Sequence, residues 1–125
     1  MIKFNMAPTA HRIVDQVLDV KPGELALLVV DSDRPASITE AMAQALSGAG
    51  AKLAIVYIPP RRMGGVELPP QVAAAMNASD VVVVQTSFAT VHTDTTRNAL
   101  KHNTRILNMW GWEEEMMVAG GALAD

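Results

Sequence analysis

The sequence contains no cysteine, and it also lacks the long apolar and basic stretches that mark several classes of protein. No uninterrupted apolar run approaches the ~20 residues that a membrane-spanning helix needs, so we expect no such helix and no membrane partner. The amino terminus has neither the apolar core nor the small-residue cleavage site of a signal peptide, which together with the missing cysteines favours a cytoplasmic location. The net charge is -3, and Arg61 and Arg62 are the adjacent cations, so nucleic acid is not an expected partner either.

Motifs of common enzyme chemistries are missing too. No GxGxxG or other glycine-rich turn follows the first apolar strand, which disfavours dinucleotide binding. The histidines, His11, His92 and His102, are scattered without HExxH spacing. With no cysteine and no serine beside a plausible base, the sequence also gives no nucleophilic centre.

What the sequence does contain is a strong central strand. Residues 25–30 are a continuous apolar run between Pro22-Gly23 and a polar turn at 31–35. An apolar run of strand length with such boundaries is typical of a strand covered on both faces. We therefore expect the sheet to be centred on this strand.

Strands and helices alternate along the rest of the chain. Further strands are predicted at 52–58, 81–84 and 104–109, and helices at 9–20, 36–49, 70–77, 91–101 and from 113 to about 120. Thr9 and Asp33 are the expected N-caps of the first two helices. This alternation predicts one α/β domain over residues 1–125, with an open, mostly parallel Rossmann-like (flavodoxin-like) sheet of about four strands and helices on both faces.

Ligands of such sheets bind beyond the carboxyl ends of the strands, where strand order reverses. The polar turns after the strands are therefore the candidate site, namely residues 31–33, 59–62, 85–87 and 110–112. From these turns and the helix start that follows the third, we predict four substrate-binding residues: Asp31, Arg61, Ser87 and His92. Helix capping competes with ligand binding for Asp31 and is favoured for Asp33, and Arg61 and Arg62 are either a carboxylate clamp or part of a solvated loop. For His92, a buried or capping role is favoured over ligand binding.

Three further patterns predict structural roles. Glu113, Glu114 and Glu115 point ~100° apart on a helix, so they cannot converge on one metal ion, and acidic residues in a first turn are favoured by the helix dipole. The fourth helix is expected to turn Asp94, Arg97 and Lys101 to solvent, and its inward face is predicted to consist of His92, Thr96, Ala99 and Leu100. Of the two tryptophans around Gly111, one is expected to pack inward and the other to line a pocket or an interface.

A set of segments occurs in a characteristic order along the whole chain. These segments are Ala10-His11-Arg12-Ile13-Val14, Val20-Lys21-Pro22-Gly23-Glu24, Val29-Val30-Asp31, Pro59-Pro60-Arg61-Arg62-Met63, Val72 to Met76 with Ala78 to Val82, His92-Thr93 with Arg97, and Thr104 to Ile106 through Glu113 to Met117. Their order resembles the amino-terminal region of the thermophilic-type metalloaminopeptidases, the leucyl aminopeptidase (aminopeptidase T) family. That family has relatives with the same architecture among the iron-dependent dioxygenases that open dihydroxypyridine rings.

The resemblance implies that this chain is the amino-terminal domain of a longer, commonly homodimeric metalloenzyme. A separate carboxyl-terminal domain would carry the ligands of a divalent metal (Zn, Co, Mn or Fe), so that this chain alone binds no metal and is inactive. The substrate would be a small peptide for an aminopeptidase, which is the first expectation, or a small molecule for a ring-opening dioxygenase. A stand-alone module that binds a small ligand in the crevice is a further alternative.

Overall fold

The computed structural model describes residues 5–60, 66–90 and 93–118, and within them four parallel strands form one sheet. The strands are β1 (Leu25–Asp31), β2 (Lys52–Ile58), β3 (Val81–Gln85) and β4 (Arg105–Asn108), in the spatial order β2-β1-β3-β4. The chain therefore moves from β1 to one side of the sheet and then crosses to the other side. The predicted α/β class and flavodoxin-like order are confirmed.

Helices cover both faces of this sheet. They are α1 (Ala7–Arg12), which continues as a π-helical turn (Ile13–Val17), α2 (Ala36–Gly48), α3 (Pro70–Asn77), α4 (Asp94–Lys101) and a final 3-10 turn (Glu114–Met117). The predictions for β2 and α3 have the observed bounds, while β4 is shorter at both ends than the predicted strand at 104–109.

The central strand β1 separates two hydrophobic cores. Its even-numbered residues from Ala26 to Val30 pack with α1, the π-helical turn and α2, while Leu27 and Val29 pack with α3 and α4. Because successive side chains of a strand point to opposite faces, a strand covered on both sides has to be apolar at every position. This requirement explains the unbroken run from which the sheet was predicted.

Both expected N-caps are wrong. Helix α1 begins before Thr9, which is 6% exposed inside the helix, and Pro8 occupies the first turn, where the fixed φ of proline suits a helix. Pro35 holds the N-cap position of α2, and no side chain caps that helix. The backbone N–H of Asp33 is used elsewhere, since it donates to the Asp31 carboxylate.

Helix α4 differs from its prediction at the start and on one face. It begins at Asp94, after an N-cap at Thr93 whose hydroxyl accepts the Thr96 N–H, and positions 91 and 92 lie outside the described residues. Thr96 and Ala99 are buried as predicted, but Leu100 is 54% exposed. The inward stripe of this short helix is narrow, and Leu100 lies ~100° around the axis from Ala99. The predicted solvent-side row of Asp94, Arg97 and Lys101 is confirmed.

An ion pair joins distant parts of the chain at the amino edge of the sheet. The Arg105 guanidinium forms two hydrogen bonds with the Glu24 carboxylate, at 2.6 and 3.1 Å, and its Nε donates to the Leu18 carbonyl at 3.0 Å. The Arg105 side chain holds the pKa of the Glu24 carboxyl below its ordinary value. A bidentate contact thus joins the segment before β1 to the start of β4 at this edge.

Candidate functional site

The point where strand order reverses lies between β1 and β3. The connection after β1 leads outward to β2, and the connections after β3 lead the other way to β4. The turns that follow β1 and β3 therefore face each other at the carboxyl edge, as in other doubly wound sheets. Asp31, the last residue of β1, and Ser87, just beyond β3, meet there.

Asp31 and Ser87 are joined by a close pair of hydrogen bonds. The Ser87 backbone N–H donates to Oδ2 of Asp31 at 2.5 Å, and the Ser87 hydroxyl donates to Oδ1 at 2.9 Å. Oδ1 also accepts the Asp33 N–H at 3.0 Å, and Asp31 is 2% exposed. The carboxylate is therefore satisfied by three donors, which fix the two turns to each other.

Gln85 provides a second connection behind this bridge. Its side chain is fully buried, its Nε2 donates to the Pro35 carbonyl at 3.0 Å, and its Oε1 accepts the Thr39 hydroxyl at 2.7 Å. The sequence placed Gln85 among the crevice residues, whereas its contacts attach the start of α2 to the end of β3. In the sequence, the position of this polar residue directly after four valines was the feature that could have indicated its buried, structural role.

Buried threonines on either side of positions 91 and 92 form hydrogen bonds with one another and with Asn108 of β4. The Thr90 hydroxyl donates to Oδ1 of Asn108 at 3.0 Å, and the Thr90 carbonyl accepts the hydroxyls of Thr93 at 2.7 Å and Thr96 at 2.8 Å. All three threonines are at most 3% exposed. The sequence reading missed this network, since the residues look like an ordinary polar loop.

Glu67 attaches the segment after β2 to the start of α4. Its carboxylate accepts the Asp94 N–H at 2.7 Å, the Thr95 N–H at 3.1 Å and the Thr95 hydroxyl at 2.7 Å. The Thr95 hydroxyl, with the Asp94 N–H second, holds the pKa of Glu67 below its ordinary value. Glu67 therefore caps a helix distant in sequence, which local capping patterns do not reveal.

Arg34 fixes the last described segment against the turn after β1. Its guanidinium donates to the Trp112 carbonyl at 3.2 Å and contacts Glu113 at 3.4 Å, and the Ser37 hydroxyl donates to Glu114 at 2.8 Å. Glu113 and Glu114 thus bind neighbouring side chains at the start of a 3-10 turn. The Nε of Arg34 is buried without a partner among the described residues.

Of the four predicted substrate-binding residues, the structure brings Asp31 and Ser87 together. Arg61 and His92, like Arg62, lie outside the described residues. Contact of Asp31 or Ser87 with a substrate stays a prediction. Within the described ranges, no group of three or more histidine, aspartate or glutamate side chains is arranged to hold a metal ion.

Two exposed aromatic residues follow strands at the carboxyl edge of the sheet. Phe88 follows β3 and is 39% exposed, and Trp110 follows β4 and is 50% exposed. Trp112 packs against the core on the α2 side, which confirms the expected inward tryptophan, while a pocket or interface role of Trp110 stays a prediction. The edge can therefore offer apolar, aromatic contact area next to a polar bridge whose own groups are paired.

Concave surface is found away from this bridge. A groove of about 310 Å³ lies between α1 and α2 and includes His11, Asp15 and Gly48. A smaller, mostly apolar cavity of about 230 Å³ lies at the carboxyl end of β2. In the part of the chain that the structure describes, no helix is long and apolar enough to cross a membrane.

Strand order, the two covered faces and the position of the bridge define an open, all-parallel α/β domain of the doubly wound class. Among solved structures, 2,5-dihydroxypyridine dioxygenase from Pseudomonas putida has the same fold, with a TM-score of 0.72 and 16% sequence identity. The likeness covers 89% of this chain and 35% of the dioxygenase, so this chain spans about a third of that protein's length. No protein-family model matches the sequence, and no curated protein matches it. This one dioxygenase thus shares the fold of the chain, whereas these comparisons give the aminopeptidase resemblance no support.

Proposed function

We propose that this chain is the α/β domain of a larger metal-dependent enzyme, with ring opening by an iron-dependent dioxygenase as the first candidate reaction. The observation that carries the proposal is the shared fold, over 89% of this chain, with a dioxygenase of which the match covers only 35%. The order of segments in the sequence supports the same division into an α/β domain and a metal-bearing remainder.

The described residues do not fit a metal centre. Both oxygens of Asp31 are occupied by N–H and O–H donors of the protein, and His102 is bound to the Asn98 carbonyl at 2.8 Å on the exposed side of α4. A divalent metal would supply the oxygen chemistry when bound, and its ligands are expected outside this chain. We therefore assign no reaction step to these residues.

The role that we assign to this domain is to form a rigid wall on one side of the substrate site. The bridge between Asp31 and Ser87 and the threonine network hold the turns after β1 and β3 in one arrangement. Phe88 and Trp110 expose aromatic surface next to these turns, which suits contact with a planar ring. A preorganised wall lowers the ordering cost of binding a substrate against it.

Two assays test this proposal. The chain and the full product of the gene's reading frame are each incubated with iron(II), oxygen and 2,5-dihydroxypyridine, and loss of the ring's absorbance is followed. The same proteins are incubated with a leucyl chromogenic substrate and zinc, cobalt or manganese.

We expect the chain alone to turn over neither substrate and the full product to open the ring. Turnover of either substrate by the 125-residue chain would overturn the proposal that the catalytic metal site lies outside it. Hydrolysis of the leucyl substrate by the full product, without ring opening, would replace the dioxygenase by the aminopeptidase. If the reading frame ends with this chain and the ring perturbs its NMR signals around Ser87, the stand-alone binding module is the correct function.

A further inference from the structure

Strand β2 forms an edge of the sheet that lacks the usual protection against pairing. Among the described residues it pairs only with β1, in continuous register from Lys52 to Ile58. It contains no proline, no bulge interrupts its pairing with β1, and Lys52 at its first position is its sole charge. Prolines, bulges and charged side chains normally prevent an edge strand from pairing with another chain, and a long apolar edge with few of these features is a pairing site.

The side chains of this edge are unusually apolar and exposed. Tyr57 is 64% exposed and Ile55 is 39% exposed, and both point to the α2 face because they pair with Val30 and Leu28. Ala54, on the opposite face, is exposed as well. Because β2 exposes apolar side chains on both faces, an added strand could pack its own side chains against them on each face of the sheet.

The edge is self-complementary about its middle residue. A two-fold axis through Ile55 pairs all seven residues of β2 with those of a second copy running antiparallel. Ile55 then faces its own copy, Leu53 faces Tyr57, and Ala54 faces Val56. Aromatic and branched apolar side chains in directly opposed positions stabilise antiparallel pairs.

The same symmetry places Lys52 over the cavity at the far end of the partner strand. Lys52 would lie opposite Ile58, on the face of the sheet where Ile58 helps to form the cavity of about 230 Å³. That cavity is lined by Ile58, Pro59, Pro60, Val66, Glu67 and Pro69. The apolar stem of a lysine suits the prolines, and its ammonium can reach the Glu67 carboxylate. Lys52 makes no ion pair with another residue in the described ranges, so it is available for this contact.

We propose that β2 is a homodimer interface, in which two copies of this chain pair antiparallel about Ile55 to form one continuous eight-stranded sheet. The occupant of the edge is a second copy, because one two-fold axis pairs the free backbone groups of Leu53, Ile55 and Tyr57, opposes apolar side chains to one another and brings Lys52 toward the partner's Glu67.

Single cysteines test the axis, because the natural chain has none. Opposed Cα atoms of an antiparallel pair lie ~4.5 to 5.5 Å apart, within the range of a disulfide. We expect Ile55→Cys to give a covalent dimer under mild oxidation. Tyr57→Cys, on the same edge, would lie ~13 Å along the strand from its copy and should not crosslink. Leu100→Cys, which is 54% exposed on α4, is the control away from the edge.

Sedimentation of the uncrosslinked chain gives an independent measurement. We expect a concentration-dependent dimer, an association constant reduced about tenfold or more by Tyr57→Lys, and no change with Leu100→Lys. Lys52→Glu should weaken the dimer, and circular dichroism checks that each variant is folded. A natural chain that stays monomeric at about millimolar concentration overturns the proposal, and so does crosslinking of Leu100→Cys or Tyr57→Cys as fast as Ile55→Cys.

Discussion

Replacement of Asp31 by asparagine should destabilise the fold although the two side chains have the same shape. The carboxylate has only acceptor oxygens, and it accepts two backbone N–H groups, from Ser87 and Asp33, besides the Ser87 hydroxyl. An asparagine has one acceptor oxygen and one NH2 group. In either amide orientation the NH2 therefore faces a backbone N–H that has lost its acceptor.

The expected cost follows from the burial of this bridge. Asp31 is 2% exposed, so water cannot readily replace the missing acceptor. A buried donor left without a partner costs ~1–3 kcal/mol, which gives an expected loss of about 2 kcal/mol for Asp31→Asn. With an m-value of about 2 kcal/mol/M, the midpoint of urea unfolding should fall by roughly 1 M.

Asp33→Asn is the matched control for this prediction. It makes the same chemical change two residues away, where the side chain is exposed and accepts no hydrogen bond from a described residue. Its unfolding midpoint should stay near that of the natural chain. Ser87→Ala removes the hydroxyl contact alone and should cost about 1 kcal/mol. Equal midpoints for Asp31→Asn and Asp33→Asn would refute the assignment of Asp31 as the bridge between the two turns.

Three further predictions concern the other long-range contacts. Gln85→Leu removes the acceptor of the buried Thr39 hydroxyl and one of the donors to the Pro35 carbonyl, and it should cost ~1–3 kcal/mol in urea unfolding; a midpoint equal to that of the natural chain would contradict this role. Glu67→Gln should lower stability at neutral pH, and the difference should disappear as the pH falls from the ordinary value of 4.5 through the lower pKa of the folded chain, because a carboxyl with a depressed pKa stabilises only when ionised. A difference that grows on acidification would contradict that sign. Glu24→Gln should cost about 1 kcal/mol, since Arg105 is 41% exposed and solvent screens the pair, and in thermal unfolding the loss should be smaller at high salt.

The sequence was sufficient for the elements whose signal is local. Strand β2 lies between Gly50 and a proline pair, and α3 begins with a proline, so turn residues alone fix their bounds. The start of α1 was predicted wrongly, and so was the N-cap of α2, because a proline occupies the first turn of α1 and the N-cap position of α2, where Thr9 and Asp33 had been expected to act. Capping propensities rank the residues near a helix start as possible N-caps, but the observed N-cap also depends on the surrounding structure.

The candidate site was predicted in its location but not in its bonding. Asp31 and Ser87 were both chosen because parallel strands bring their carboxyl ends to one edge. Their hydrogen bonds join residues 56 positions apart, and no local pattern encodes such a pair. The same applies to Glu67, whose capping of α4 depends on how two segments cross in space.

The central position of β1 has a consequence for how the chain emerges during synthesis. β1 and β2 are separated only by α2, so the first parallel pair can form early, but β3, the other neighbour of β1, begins about 50 residues after β1 ends. At ~5–20 residues per second, translation leaves one edge of the central strand unpaired for several seconds. During that interval the nascent chain carries an open apolar edge on each side of a two-stranded ribbon, which makes it a natural substrate for chaperones that bind extended apolar segments.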